Sequence, residues 1–298
     1  MTNPVLGATL YIPATRPNLE EKIANKDLGL RSAVVCLEDS VSDRELDDAR
    51  SAFIRFVAQH QRGTCRVYAR PRDLEMLHWM LSAPHIENIE GFVLPKITTE
   101  NLAQWLAALI NTQHSIMPTI EGADAFDLAA LQWLRHQLTP FANRVDAIRI
   151  GGNDILNVLG ARRSRIRTAY DGPLGQVIRD FAATFIPHGY AVSAPVFEHF
   201  EAKNVLLDEV ERDLEHGLMT KTAIHPTQVK LIHASYRPRA EEVANAQDIL
   251  EEGALAVFGS AGSMCEPATH RSWAANIIAR AQAFGIAQHD NVTPIKVA

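Results

Sequence analysis

EGFVLPKITTENLAQWLAALINTQHSIMPTIEG, residues 90–122, decides how the rest of the chain is read. It opens on a short apolar run, EGFVLP (90–95), and closes on another, SIMPTI (115–120). Between them Leu102, Trp105, Leu106 and Leu109 recur at i, i+3, i+4 and i+7, which gathers them on one helical face. Two short strands joined by a helix form a parallel crossover unit, because the chain must return over a sheet face before a strand can pair in parallel with its predecessor.

The alternation continues in both directions. Further strand candidates are 5–12 (VLGATLYI), 32–37 (SAVVCL), 65–70 (CRVYAR), 145–150 (VDAIRI), 190–197 (YAVSAPVF) and 219–224 (MTKTAI). Residues 123–138 repeat the helical rule with Phe126, Ala129, Ala130 and Trp133. Ser42 before an acidic turn, and Thr98 followed three residues later by Asn101, read as helix starts. Eight strand–helix alternations predict an all-parallel α/β sheet. They match a closed (β/α)8 TIM barrel, while an open doubly wound sheet has the same alternation.

From Arg237 the pattern changes. Residues 237–259 read as a charged helix, 259–268 as a Gly/Ser-rich loop and 267–284 as another helix. The chain therefore divides into a barrel over 1–236 and a C-terminal helical extension over 237–298. The extension has too little core to stand alone and is expected to pack on a barrel end or a neighbouring subunit. The last dozen residues read as a loose tail.

Composition narrows the class. Hydrophobic residues make up 47% of 298, enough for a large core and against a disordered chain. The net charge of −6 offers no basic excess for nucleic acid or an anionic membrane. The N-terminus lacks the basic start and apolar stretch of a signal peptide, and no apolar run approaches the ~18 residues of a membrane span. Cys36, Cys65 and Cys265 fit neither a disulfide framework nor a zinc spacing. These features read as a cytoplasmic protein.

Polar residues collect where the strands end, the face on which barrels carry chemistry. The ends read Thr15-Arg16, Glu38-Asp39, Arg70-Pro71, Pro95-Lys96, Glu121-Gly122, Gly151-Gly152-Asn153-Asp154 and His225-Pro226. Glu121 and Asp154 singly suit helix starts; on adjacent strands they also suit a hard cation such as Mg²⁺. Arg70 reads either as a structural partner of Glu38 or Asp39, or as a fixed guanidinium for a carboxylate or developing oxyanion. Lys96 reads as a partner of rim carboxylates rather than a Schiff-base lysine. His225 is open to acid/base or structural hydrogen-bonding roles. Arg162, Arg163, Arg165 and Arg167 form a basic run open to a solvated or a phosphate-binding reading. No Walker loop, GxGxxG or GxSxG signature is present.

Tyr11-Ile12-Pro13 with Arg16-Pro17, Leu37-Glu38-Asp39 with Val41 and Ala49-Arg50, Arg70-Pro71, Leu94-Pro95-Lys96, Ile120-Glu121, Gly151 to Asp154 with Leu159-Gly160, and Ile224-His225-Pro226 with Gln228 occur in one order. That ordered set, over residues 8 to about 285, resembles the citrate lyase beta-subunit-like branch of the HpcH/HpaI aldolase family, which includes malyl-CoA, citramalyl-CoA and citryl-CoA lyases. The resemblance implies a (β/α)8 barrel whose C-terminal helices form a lid over a neighbouring subunit, commonly in a homotrimer. It implies reversible C–C cleavage of a 3-hydroxyacyl-CoA thioester to acetyl-CoA and a 2-oxo acid.

By matching position, Glu121 and Asp154 would hold Mg²⁺, and Arg70 would bind substrate oxygens and stabilise the enolate. Glu38 and Asp39 would orient Arg70 and Lys96, and Arg16, with the 162–167 run, would meet CoA phosphates. Glu266, in Gly262-Ser263-Met264-Cys265-Glu266-Pro267, takes the position of the family's acid/base residue in the lid. Two departures stand out: Ala194 replaces an acid at the end of strand seven, and Thr220 replaces a glycine in strand eight. The less polar rim favours (S)-citramalyl-CoA, ahead of malyl-CoA and citryl-CoA. An acyl-carrier-protein thioester and a non-catalytic CoA-binding scaffold are the rival expectations.

Overall fold

The computed structural model describes residues 4–260 and 262–287. The chain divides into two compact units, Met1–Ile232 and His233–Ala298. The sequence reading placed the boundary at 236/237.

Among the described residues, the first unit is a closed barrel of eight parallel strands. They are β1 (Gly7–Pro13), β2 (Ser32–Cys36), β3 (Arg66–Arg70), β4 (Gly91–Leu94), β5 (Ser115–Ile120), β6 (Ile148–Ile150), β7 (Val192–Ala194) and β8 (Thr220–Ala223). Each observed strand overlaps a run read from the sequence. Pairing of β1 with β8, Gly7 against Thr220 through Leu10 against Ala223, closes the ring and excludes the open doubly wound sheet. Crossovers are made by α1 (Leu19–Ala24), α2 (Leu46–Gln59), α3 (Leu74–Leu81), α4 (Leu102–Leu109), α5 (Leu128–Leu138), α6 (Gly152–Val158), α7 (Pro173–Phe185) and α8 (Lys203–Glu215), with α9 (Pro226–Ser235) after β8.

Strand side chains alternate between the barrel interior and the helix layer. One interior layer is apolar: Leu6, Val34, Tyr68, Val93, Met117 and Ala147, with Tyr11 and Ala191 against it. Two residues further along four of those strands, on the same face, stand Arg70, Thr119, Arg149 and Ser193. The interior thus turns from hydrocarbon to polar toward the strand C-termini. On the outward face of β8, Lys221 bonds Glu209 and Asp213 of α8, at 2.8 and 2.9 Å.

Local capping decides where helices start. Ser42, expected as a helix start, forms a capping box with Glu45 ahead of α2. The face read for 123–138 is corrected: a 3₁₀ turn occupies Ala123–Phe126, and Asp127 accepts the Ala129 N–H to open α5 afresh. That reset shifts the phase, so α5 buries Ala130, Leu131, Leu134 and Leu138 while Phe126 and Trp133 stay exposed.

The second unit contains α10 (Ala240–Leu250), the hairpin β9 (Phe258–Ser260) and β10 (Ser263–Cys265), and α11 (Pro267–Phe284). Its core is Val243, Ala246, Ile249, Cys265, Ala274 and Ile277. The helix expected to reach residue 259 stops at Leu250, and Gly253 follows at φ +90°, a conformation no helix interior accommodates. The expected 259–268 loop is instead largely an antiparallel hairpin. Apart from Ala287, the expected tail lies outside the described residues. No helix among the described residues is long and apolar enough to cross a membrane.

Candidate active site

A cavity of about 350 Å³ opens at the C-terminal ends of the barrel strands. Its wall includes Tyr11 of β1, Glu38 and Asp39 after β2, Arg70 ending β3, Thr119 and Glu121 of the β5 end, Arg149 of β6, Gly151 to Asp154, and Thr222 of β8. Of the residues singled out from sequence, the barrel therefore gathers Arg70, Glu121, Asp154, Glu38 and Asp39 around one space, with Lys96 bonded to three of them.

Arg70 is the hub. Its Nη2 lies 3.0 Å from Glu38 Oε2 and 3.1 Å from Glu121 Oε1. Arg70 is 8% exposed, Glu38 4% and Glu121 3%. Burial disfavours the Arg70 charge, but Glu121, Tyr11 and Glu38 more than offset this and hold its pKa above the ordinary range. Arg70 is ion-paired, as its structural reading expects, and it also forms part of the cavity wall.

Lys96 follows β4 with φ +50°, a left-handed conformation that costs a non-glycine residue roughly 1–2 kcal/mol. In that conformation its backbone N–H donates to Glu121 Oε1 at 2.7 Å. Its Nζ lies 2.9 Å from Glu38 Oε1 and 3.1 Å from Asp39 Oδ1. Burial works against the ammonium, yet the two carboxylates hold its pKa above the ordinary value. The reading of Lys96 as a partner of rim carboxylates agrees with this geometry. Burial raises the Asp39 pKa, but the hydrogen bonds from Lys96 and Glu38 and the charges of Lys96 and Arg70 together outweigh it, and the net shift is downward.

Burial pushes the Glu121 carboxyl up to about 7, against the pull of Arg70 and with a further push from the Asp154 charge. Gly151 makes room for it: an alanine Cβ there would come within 2.2 Å of Glu121 Cβ and 2.3 Å of Oε2. Asp154, in the first turn of α6, forms no ion pair among the described residues. Among the described residues no three histidine, cysteine or carboxylate groups converge on a metal position. Magnesium needs only one or two protein carboxylates, with water and substrate oxygens completing its shell. The hard oxygen donors of Glu121 and Asp154, mutually repelling in one cavity, fit that requirement.

Other expected residues fall elsewhere. Arg16 is exposed on the loop after β1 and is not part of the cavity wall. His225 bonds Thr227 Oγ1 at 2.8 Å and stacks on Phe200, a structural arrangement at the start of α9. The basic run separates: Arg163 is buried against Glu209, Arg162 pairs with Glu198, and Arg165 and Arg167 are exposed. Glu266 lies in the second unit just before α11, where its N–H donates to His270 Nδ1 and its Oε2 accepts from Thr269.

Sequence reasoning missed Arg149 and Thr222 as cavity residues. Arg149 and Thr119 lie two residues beyond Ala147 and Met117, on the face that only barrel closure turns inward.

A closed parallel barrel with a carboxylate- and guanidinium-lined cavity at its strand C-termini is the build of a TIM-barrel enzyme. A family model described as C–C bond lyase of the TIM-barrel fold matches residues 1–286, and the chain belongs to this family of carbon–carbon lyases. It is 26% identical over 250 residues to the (3S)-malyl-CoA thioesterase of Cereibacter sphaeroides, covering 80% of this chain and 81% of that protein. It is 24% identical over 268 residues to the citrate lyase subunit beta-like protein of Mycobacterium tuberculosis, covering 84% and 88%. A crystal structure of CitE from Mycobacterium tuberculosis, in complex with magnesium, acetoacetate and coenzyme A, superposes with a TM-score of 0.69 at 21% identity, covering 93% of this chain and 98% of that one. That likeness is one of fold. The resemblance to the citrate lyase beta-like branch and the barrel expectation both stand.

Proposed function

We propose that the chain is a Mg²⁺-dependent lyase of a short 3-hydroxyacyl-CoA, with (S)-citramalyl-CoA, giving acetyl-CoA and pyruvate, as the first choice and malyl-CoA and citryl-CoA behind it. The observation that carries this reading is the meeting of Arg70, Glu121 and Asp154 on one cavity. The relatives' names add the thioester, and the CitE complex adds magnesium and coenzyme A.

Glu121 and Asp154 are the residues that would hold the ion. When bound, it supplies a Lewis acid for the oxygens of the 2-oxo acid unit. Cleavage removes the 3-hydroxyl proton, the C–C bond pair moves onto the carbon next to the thioester, and the resulting enolate is protonated to acetyl-CoA. Arg70 faces the enolate oxygen with a cation that does not deprotonate, and Glu38, buried beside it, keeps it in place. Lys96 holds Glu121 through its backbone N–H and Glu38 and Asp39 through its ammonium. In this reading Glu266 carries the proton both ways, supplied by a neighbouring copy in a homo-oligomer, and Arg16 meets the CoA phosphates.

A second reading is thioester hydrolysis, favoured by relatives named (3S)-malyl-CoA thioesterase. The two give different products. The purified protein is incubated with (S)-citramalyl-CoA, malyl-CoA and citryl-CoA, with Mg²⁺ or with EDTA, and products are followed by mass spectrometry. Acetyl-CoA plus an oxo acid, lost in EDTA, supports the lyase; free CoA plus the hydroxy acid supports hydrolysis. Silence with folded protein sinks both for free CoA esters and favours a carrier-protein thioester or a binding scaffold. If mixing the inactive Glu266→Gln and Arg70→Ala proteins restores no activity, the shared-site assignment of Glu266 is wrong.

A further inference from the structure

Arg149 is the largest wholly buried side chain among the described residues, at 1% exposure, yet it forms part of the cavity wall. Its Nη2 donates to Thr222 Oγ1 at 2.6 Å, and Nη1 reaches only the Met117 sulfur at 3.6 Å. The guanidinium carbon lies 5.2 Å from the Tyr11 ring centroid, and the Tyr11 hydroxyl shares a hydrogen bond with it. The Nε donor is buried with no partner. The hydroxyl of Thr119, its register neighbour on β5 and a fellow wall residue, is also buried without one.

Among the described residues no carboxylate pairs with this cation. Of the carboxylates lining the cavity, Glu38 and Glu121 pair with Arg70 and Asp39 with Lys96, while Asp154 belongs to the proposed metal position. Burial of an unpaired ion is so unfavourable that breaking a buried pair typically costs about 3–5 kcal/mol, and an apolar residue of similar shape often does better. An anion entering from the cavity supplies the missing partner. A planar fork of N–H groups beside a free hydroxyl suits a carboxylate, which accepts two parallel hydrogen bonds.

We propose that Arg149 is a specificity-determining residue that holds the carboxylate of the substrate's 2-oxo acid half, with Thr119 and Thr222 beside it. The assignment rests on the lyase reading for the identity of that carboxylate. It makes the enzyme reject 3-hydroxyacyl thioesters that lack one, and it requires that the oxo acid bind in the absence of any thioester.

The test is calorimetric titration of the full-length protein, in Mg²⁺, with pyruvate, glyoxylate and oxaloacetate, and with the uncharged amide of whichever binds most tightly. It is repeated on Arg149→Met and Arg149→Lys, with melting temperatures recorded. The native protein should bind an oxo acid and bind its amide at least tenfold more weakly. Arg149→Met should lose about 10- to 100-fold in oxo-acid affinity, as for one charged hydrogen-bonding group, while melting no lower than the native protein. Arg149→Lys should fall between the two. Unchanged oxo-acid affinity in Arg149→Met overturns the proposal. So does equal binding of acid and amide, or no oxo-acid binding, in the native protein, outcomes that do not depend on any variant folding. Because no step requires turnover, oxo-acid binding through Arg149 with no CoA thioester cleaved would sink the free-CoA lyase reading and leave the carboxylate site standing.

Discussion

Two buried ionic clusters in the barrel unit differ in how their charges cancel. Between β8 and α8, Glu209 is bonded by Lys221, Arg163 and the Ala169 N–H, and Asp213 by Lys221 and the Tyr170 hydroxyl. Two cations meet two anions, and Lys221, Glu209 and Asp213 are wholly enclosed. At the strand ends, Glu38, Asp39 and Glu121 share two cations, Arg70 and Lys96, a fourth carboxylate, Asp154, lines the same cavity, and Arg149, buried in its wall, has no carboxylate partner among the described residues. Charges there are separated rather than cancelled. Burial of ions alone therefore does not mark a site in this molecule. What marks it is charge left over on both sides, a negative rim and a positive floor, suited to a ligand that brings a metal ion and a carboxylate together.

The largest expected effect tests the closed cluster. Lys221→Met strands two buried carboxylates with one cation and should lower unfolding stability by about 3–5 kcal/mol. Urea denaturation measures it, and a loss below 1 kcal/mol would mean the cluster is not structural. The rim should respond in the opposite currency. Arg70→Ala should reduce kcat by on order of 10²–10³-fold, the range for one oxyanion donor. A thioester cleavage assay that found kcat within a few-fold of native would leave Arg70 only its ion-pairing role.

A smaller effect separates the clusters by pH. Burial lowers the Lys221 pKa, but Asp213 and Glu209 more than offset this, so its folded value stands above the ordinary 10.5. A base raised on folding contributes stability that is fully present below its unfolded value and lost as pH rises through the folded one. Denaturation midpoints should therefore fall on the alkaline side of pH 10.5, and this limb should be shallower in Lys221→Met. Equal limbs would break the contrast. The smallest effect concerns rim strain. Lys96→Gly and Lys96→Ala both lose the ammonium, but only glycine relaxes the left-handed φ, so Lys96→Gly should be the more stable of the two by about 1 kcal/mol.

Much of the site was legible because it follows from short-range pattern. A charged residue that ends an apolar strand lands on the rim once the strands close, which is how Glu38, Arg70, Glu121 and the Gly151–Asp154 turn came to be named. Arg16 and His225 satisfy the same rule and fall outside the cavity, because the loop after β1 and the start of α9 carry them away from it. The rule locates strand ends, not the direction in which a loop departs.

The sequence by itself determined the fold class. Periods of two and 3.6 are local properties, and eight alternations of them leave few ways to bury every strand on both faces. Tertiary structure alone decided that β1 meets β8, that α5 buries the phase set by Asp127, and that Arg163 serves the core while its neighbours face water. It also decided the place of Arg149. In sequence Arg149 is one cation between two isoleucines, and nothing local says which of a strand's faces becomes an interior. Only closure of the barrel turns that face inward, and only then do residues from β1, β3, β5, β6 and β8, far apart in the chain, share one cavity.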